Sequence, residues 1–133
     1  PRHLCMIGIR SYERGEADLL ERLGVAIFDV AAVKRRGLDA VMADAISIVN
    51  KGTAGFGVSL DVDAIDPGEA PGVGTPASGG LQADELVASV RQVSRHQNYV
   101  GFELAELNPA LDQSGVTVQI ASDIVAAAVP GKR

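Results

Sequence analysis

Short apolar runs alternate with amphipathic stretches along this chain. "HLCMIGI" (3–9), "VAIFDV" (25–30), "GFGVSLDVD" (55–63) and "YVGFELAEL" (99–107) are brief and rich in Val, Ile, Leu and Phe, the mark of buried strands. Segments of helical period lie between them. "ERGEADLLERL" (13–23) gathers acids in its first turn and meets Gly24 at its end, a helix stop. Over 34–50, Leu38, Val41, Met42, Ala45, Ile46 and Val49 fall on one face of a helix. Residues 82–95 repeat the pattern with Leu86, Val90 and Val93, acids near the start and Arg91 and Arg95 near the end. Residues 114–129 are predicted as a last helix, although "VTVQI" alone has the character of a strand. Strand followed by helix, four times over, predicts an α/β fold with parallel pairing and helices on both faces. No linker, repeat or low-complexity tract interrupts 1–133, so one domain is expected.

Composition narrows the picture. The chain has 133 residues, 47% hydrophobic and only 4% aromatic, so the core must be built from Val, Ile, Leu and Ala. A net charge of -5 disfavours nucleic-acid binding. No apolar run reaches the ~18 residues of a membrane span, and no secretory signal opens the chain. The single Cys5 excludes a disulfide within the chain and points to the reducing cytoplasm. The first residue is Pro1 rather than Met and a strand follows almost at once, which predicts a piece of a longer protein.

The chemistry concentrates in "SLDVDAIDPGEAPGVGTP" (59–76). If the third strand runs on to residue 63, Asp61 and Asp63 point to the same side at its carboxyl end, where ligands gather in open α/β sheets. Two converging carboxylates repel, and a divalent cation would relieve them; all-oxygen ligands suit Mg, Ca or Mn. The spacing alone leaves solvated strand-end acids as an equal reading. An EF-hand is excluded, since Ile65 and Gly72 stand at its fifth and twelfth positions. Asp66-Pro67 reads as turn chemistry. The glycines of "APGVGTPASGG" would let backbone approach a ligand, but no phosphate-loop lysine is present. On the last strand, Glu106 falls at another carboxyl end, where it could grip a guanidinium with two prongs or stand as a solvated loop acid. Glu103 is expected mid-strand, hydrogen-bonded or at an interface.

"SLDVDAIDPGEAPGVGTPASGGL" closely resembles the signature of the arginase/agmatinase family, the ureohydrolases, and "MIGIRSYERGEADLLERLGV" and "ELAELNPALDQSGVTVQIASDIV" extend the resemblance over essentially the whole chain. "APGVGTP" and "ELNPALD" are most similar to arginase. The resemblance implies a three-layer α-β-α fold with a mainly parallel sheet, of which four strands are present here. It implies a manganese-dependent hydrolase with a dinuclear centre, converting L-arginine to L-ornithine and urea by attack of hydroxide on the guanidinium carbon. Asp61 and Asp63 match two aspartate metal ligands. Thr75 matches the loop threonine beside the substrate guanidinium, and Glu106 the glutamate that holds it. Glu13 stands where arginases carry an aspartate that meets the substrate α-amino group, and Glu16 matches a nearby glutamate.

Departures matter as much. Glu13 reaches one methylene further than aspartate, and Arg14 replaces a proline usual in arginases, so agmatine or another guanidino or formimino substrate is the alternative. The family's other ligands, two histidines and two aspartates, and its proton-shuttle histidine match nothing here. His3 is read as strand-end packing, and His96 as a helix-end imidazole that favours the cationic form. A strand missing from between the first and third would leave a gap in the sheet. The chain alone is expected to bind metal weakly, and a non-catalytic fragment that only associates with other chains is the reading from another class. The resemblance also implies a homo-oligomer, a trimer or hexamer.

Overall fold

The computed structural model describes residues 2–130; Pro1, whose place at the head of the chain suggested a longer protein, lies outside them. The chain divides into two compact units, one ending at Gly55 and the other beginning at Phe56. Both are α/β and both are built on parallel strand pairs.

In the first unit, β1 (Cys5–Ile9) pairs in parallel with β2 (Ala26–Asp29), matching Cys5 to Ala26 and Ile7 to Phe28. Helix α1 (Arg14–Leu23) joins them and stops at Gly24, whose φ of 62° lets its N–H close back onto Leu20 and Glu21. The single helix expected over 34–50 is two helices. The side chain of Asp29 accepts a hydrogen bond from the Ala32 N–H at 2.6 Å, so helix α2 (Val30–Arg36) begins directly at the end of β2. Gly37, at φ 84° and ψ 147°, breaks the helix before α3 (Leu38–Val49). The apolar face foreseen for α3 is present: Leu38, Val41 and Ala45 are buried, and Met42, Ile46 and Val49 half-buried. Burial, helped by the negative charge of Asp44, pushes the Cys5 thiol up, which suits a packing residue rather than a nucleophile. His3 is exposed in a turn ahead of β1, so it does not pack at the strand end.

In the second unit, β3 (Phe56–Asp61) pairs in parallel with β4 (Tyr99–Ala105), matching Ser59 to Glu103 and Asp61 to Ala105. Helices α4 (Ala83–Val93) and α5 (Val116–Ala128) bury Leu86, Val90 and Val93 on one and Ala121, Ile124 and Ala127 on the other. The "VTVQI" ambiguity resolves as helix. Ser94 locks the helix ends by donating to the carbonyl of Ala127 at 2.8 Å. His96 packs edge-on against Phe56, with ring centroids 5.2 Å apart, and its Nδ1 accepts the Asn98 N–H. Among the described residues each sheet is two-stranded. No helix of the described residues is long and apolar enough to cross a membrane.

Candidate functional site

Strand β3 ends at Asp61, and the chain tightens at once into a 3-10 turn over Val62–Ala64. Asp61 caps that turn, accepting the Asp63 N–H at 2.9 Å. The strand was expected to run to residue 63, with alternation aligning the two aspartates. Instead the strand stops two residues earlier, and the cap brings Asp63 back beside Asp61. Val62 and Ile65 anchor the turn in the core at 0% and 1% exposure, so the two acids that flank Val62 sit on a fixed support.

The parallel register sets Ala105 opposite Asp61 and therefore Glu106 just past the same end of the sheet. Burial pushes the Asp61 carboxyl up. The Asp63 N–H works against this, while the charges of Asp63 and Glu106 push the same way as burial. Three acids thus share one electrostatic neighbourhood at the carboxyl ends of β3 and β4. Glu106 adopts φ 63°, the one positive value at a non-glycine among the described residues. Such a conformation costs about 1–3 kcal/mol and persists only where neighbouring structure imposes it. Here the segment after Glu106 is held by a bridge between Leu107 and Val73 and by the Asn108 N–H donating to the Gly72 carbonyl at 2.8 Å.

Thr75 joins the cluster directly: its hydroxyl donates to Asp63 Oδ2 at 2.8 Å. The loop that presents it is organised by Asp66, which accepts N–H groups from Gly68, Gly79 and Gly80 at 2.9, 2.8 and 3.1 Å. That is turn chemistry, as expected, extended to close the loop on itself. Gly80 and Gly72 are small because protein lies against them, whereas Gly74, next to Thr75, has open space where a Cβ would be. Glu69 also belongs to this scaffold, since its carboxylate accepts the Ala83 N–H at the start of α4. Glu103 accepts from the Ser59 hydroxyl at 2.6 Å across the strand pair, which fits the hydrogen-bonded role expected of it.

Glu13 belongs to the first unit. It is the exposed N-cap of α1, and its backbone carbonyl accepts from Glu16 and Ala17 at 3.0 Å each. Arg14 is thus the first helical residue, the position at which proline is well tolerated. Glu16 lies in the first turn.

The donor chemistry at Asp61 and Asp63 suits a hard divalent cation, but the set is short. Among the described residues no group of three or more His, Cys, Asp or Glu side chains is disposed to hold a metal ion. Two carboxylates are well below the six or so oxygen ligands such ions take.

The model of the arginase family matches residues 1–130. The chain belongs to the arginase family. The arginase of Bacillus caldovelox is 36% identical over 121 residues, covering 91% of this chain and 40% of that protein. Its native structure superposes with a TM-score of 0.92 at 34% identity, over 99% of this chain and 44% of that one. The agmatinase of Proteus mirabilis is 38% identical over 117 residues, 88% of this chain and 35% of that protein. A formimidoylglutamase from Bacillus subtilis shares the arginase fold, with a TM-score of 0.91 at 27% identity, over 96% of this chain and 40% of that one. The chain spans about 40% of the length of the curated arginases it matches.

Proposed function

We propose that these residues form part of a manganese-dependent hydrolase of guanidino compounds, acting on L-arginine, with Asp61 and Asp63 contributing two ligands to a metal centre completed by residues outside this chain. The observation that carries the reading is the gathering of Asp61, Asp63 and Glu106 at the carboxyl ends of one parallel strand pair, close enough for the other two charges to raise the Asp61 carboxyl. A pair of divalent cations, when bound, supplies a nucleophile at neutral pH by lowering the pKa of water.

The chain's own residues do the rest of the work assigned to them here. Asp61 and Asp63 present their carboxylates from a turn anchored by buried Val62 and Ile65. Thr75 orients Asp63 through its hydroxyl. Glu106 grips the guanidinium by charge-assisted hydrogen bonds, which align its carbon for attack. His96 stays out of the chemistry, because it packs on Phe56 at the opposite end of β3 from Asp61. In this reading the two units belong to a single arginase-like domain of a cytoplasmic homo-oligomer.

A second reading is favoured by Glu13, the longer acid at the α-amino position: the substrate is agmatine or another guanidino or formimino compound. Both readings meet one experiment. The full-length protein, loaded with manganese, is assayed for urea and ammonia release from arginine, agmatine and formimino substrates in competition. Arginine is expected to prevail, and Asp61→Ala to lose at least a thousandfold in rate. Full activity in that variant would remove Asp61 from the centre, and absence of hydrolysis by the wild type would favour a non-catalytic associating module.

A further inference from the structure

Gly72 ties together the two segments that carry Thr75 and Glu106. Its N–H donates to the Thr117 hydroxyl at 2.8 Å, and its carbonyl accepts from the Asn108 N–H at 2.8 Å. The first bond fastens the Thr75 loop to the start of α5; the second fastens it to the segment that follows Glu106. Thr117 is 0% exposed, so no water stands ready to replace its hydroxyl. The fit is tight. A Cβ on Gly72 would stand 2.7 Å from Asp112 Cβ and 2.9 Å from Thr117 Oγ1. Asp112 completes the arrangement by accepting the Val118 N–H at 2.8 Å, which fixes the first turn of α5 and the place of Thr117 on it.

From this geometry we infer that Thr117 and Asp112 are positioning residues: through Gly72 they set the loop that presents Thr75 and the backbone that holds Glu106 at positive φ. Their influence runs from Asp112, which fixes the first turn of α5 through the Val118 N–H, and from the Thr117 hydroxyl to Gly72, and then from Gly72 to Asn108 by a hydrogen bond and to Thr75 along the loop itself. Loss of the Thr117 hydroxyl would free the Gly72 N–H and loosen both segments together. The consequence for catalysis rests on the function proposed above; the consequence for the loop does not.

The test uses the full-length protein with Thr117→Val, which keeps the shape and removes the hydroxyl, beside Thr117→Ser, which keeps the hydroxyl. Hydrogen exchange is read on peptides covering 71–76, 106–110 and, as a reference, α4. In Thr117→Val the first two segments are expected to exchange about tenfold faster while α4 is unchanged, the loss of one buried hydrogen bond being about a factor of ten. Thr117→Ser is expected to restore the wild-type pattern. Steady-state hydrolysis by the same variants is expected to show KM for the guanidino substrate raised about tenfold in Thr117→Val and restored in Thr117→Ser, as for displaced binding groups. Should Thr117→Val be insoluble, Asp112→Asn is read on the same peptides, and faster exchange at 71–76 is again the supporting result. Unchanged exchange at 71–76 in the variant read, or equal impairment in Thr117→Ser, overturns the inference. A wild type that hydrolyses no guanidino compound overturns the functional proposal alone, and exchange still decides the positioning role.

Discussion

A methyl group added to Gly80 would stand 2.4 Å from the backbone nitrogen of Asp66, 2.5 Å from the Ile65 carbonyl carbon and 2.7 Å from its oxygen. Ordinary contact begins at 3.4 Å, so the two segments must part by about 1 Å, and none of the obstructing atoms belongs to a side chain that can swing away. Two backbone bonds span this gap, from Asp66 N–H to the Leu81 carbonyl at 3.0 Å and from Leu81 N–H to the Ala64 carbonyl at 2.9 Å. Losing both costs about 1 kcal/mol each, and overpacking adds about 1–3 kcal/mol, giving roughly 3–5 kcal/mol in all. Gly74→Ala is the control, because nothing lies within 4 Å of its would-be Cβ. The entropy that alanine removes from the unfolded chain, about 0.4–1 kcal/mol, is common to both variants and cancels in the comparison. Denaturant unfolding of the two variants in the full-length protein measures the difference directly. If they agree within about 1 kcal/mol, the loop does not depend on Gly80 as a point of close approach, and the account of these glycines as packing residues fails.

Two further outcomes follow from single residues. Burial acts to raise the Asp112 carboxyl, but hydrogen bonds from Val118, Thr117 and Gly115 outweigh it and hold the group below its ordinary 3.8. A carboxyl depressed by folding contributes stability above its unfolded pKa and loses it as pH falls through the folded value; Asp112→Asn is therefore expected to lower stability at neutral pH and converge with the wild type in acid unfolding below about pH 3.8, and a gap independent of pH would refute this. Glu106→Gly is expected to be about 1 kcal/mol more stable than Glu106→Ala in thermal unfolding, since glycine alone relieves the φ of 63°, while both lose substrate binding; an alanine variant of equal stability would mean the backbone there is unstrained.

Much of the fold was legible because it rests on short-range patterns. The four strands were found from their apolar runs, and α1, α4 and α5 from helical period together with features such as Gly24. What escaped depended on conformation or on partners distant in sequence. The break at Gly37 leaves the apolar period of α3 intact, so periodicity alone did not reveal it. Val30 passed for the last residue of a strand because nothing local announces that the Asp29 side chain turns back to cap a helix. In the site, the residue types stood out as acids at strand ends, but their geometry did not. Asp63 reaches Asp61 through a turn rather than a pleat, Glu106 takes a backbone conformation no propensity suggests, and Thr117 meets Gly72 across 45 positions of sequence.

The two ligands proposed for this cluster share a sign, and that follows from how the acids are held. Asp61 and Asp63 sit on a turn whose capping bond and buried anchors leave little room for the carboxylates to separate, so their repulsion is built into the fold and adds to burial, the larger cause, in raising the Asp61 carboxyl. Glu106 adds a third charge from a strained backbone at the end of the neighbouring strand. A neutral ligand would leave that repulsion in place. Divalent cations held by the two aspartates and a guanidinium held by the glutamate would each remove part of it, and each would make the other's site less crowded with negative charge. The rigid pair suits the ion, whose ligands must be fixed in advance. Glu106 is exposed, while the segment after it is tied to Gly72 through Asn108 and to Val73 through Leu107, an arrangement that suits a substrate that must enter and leave.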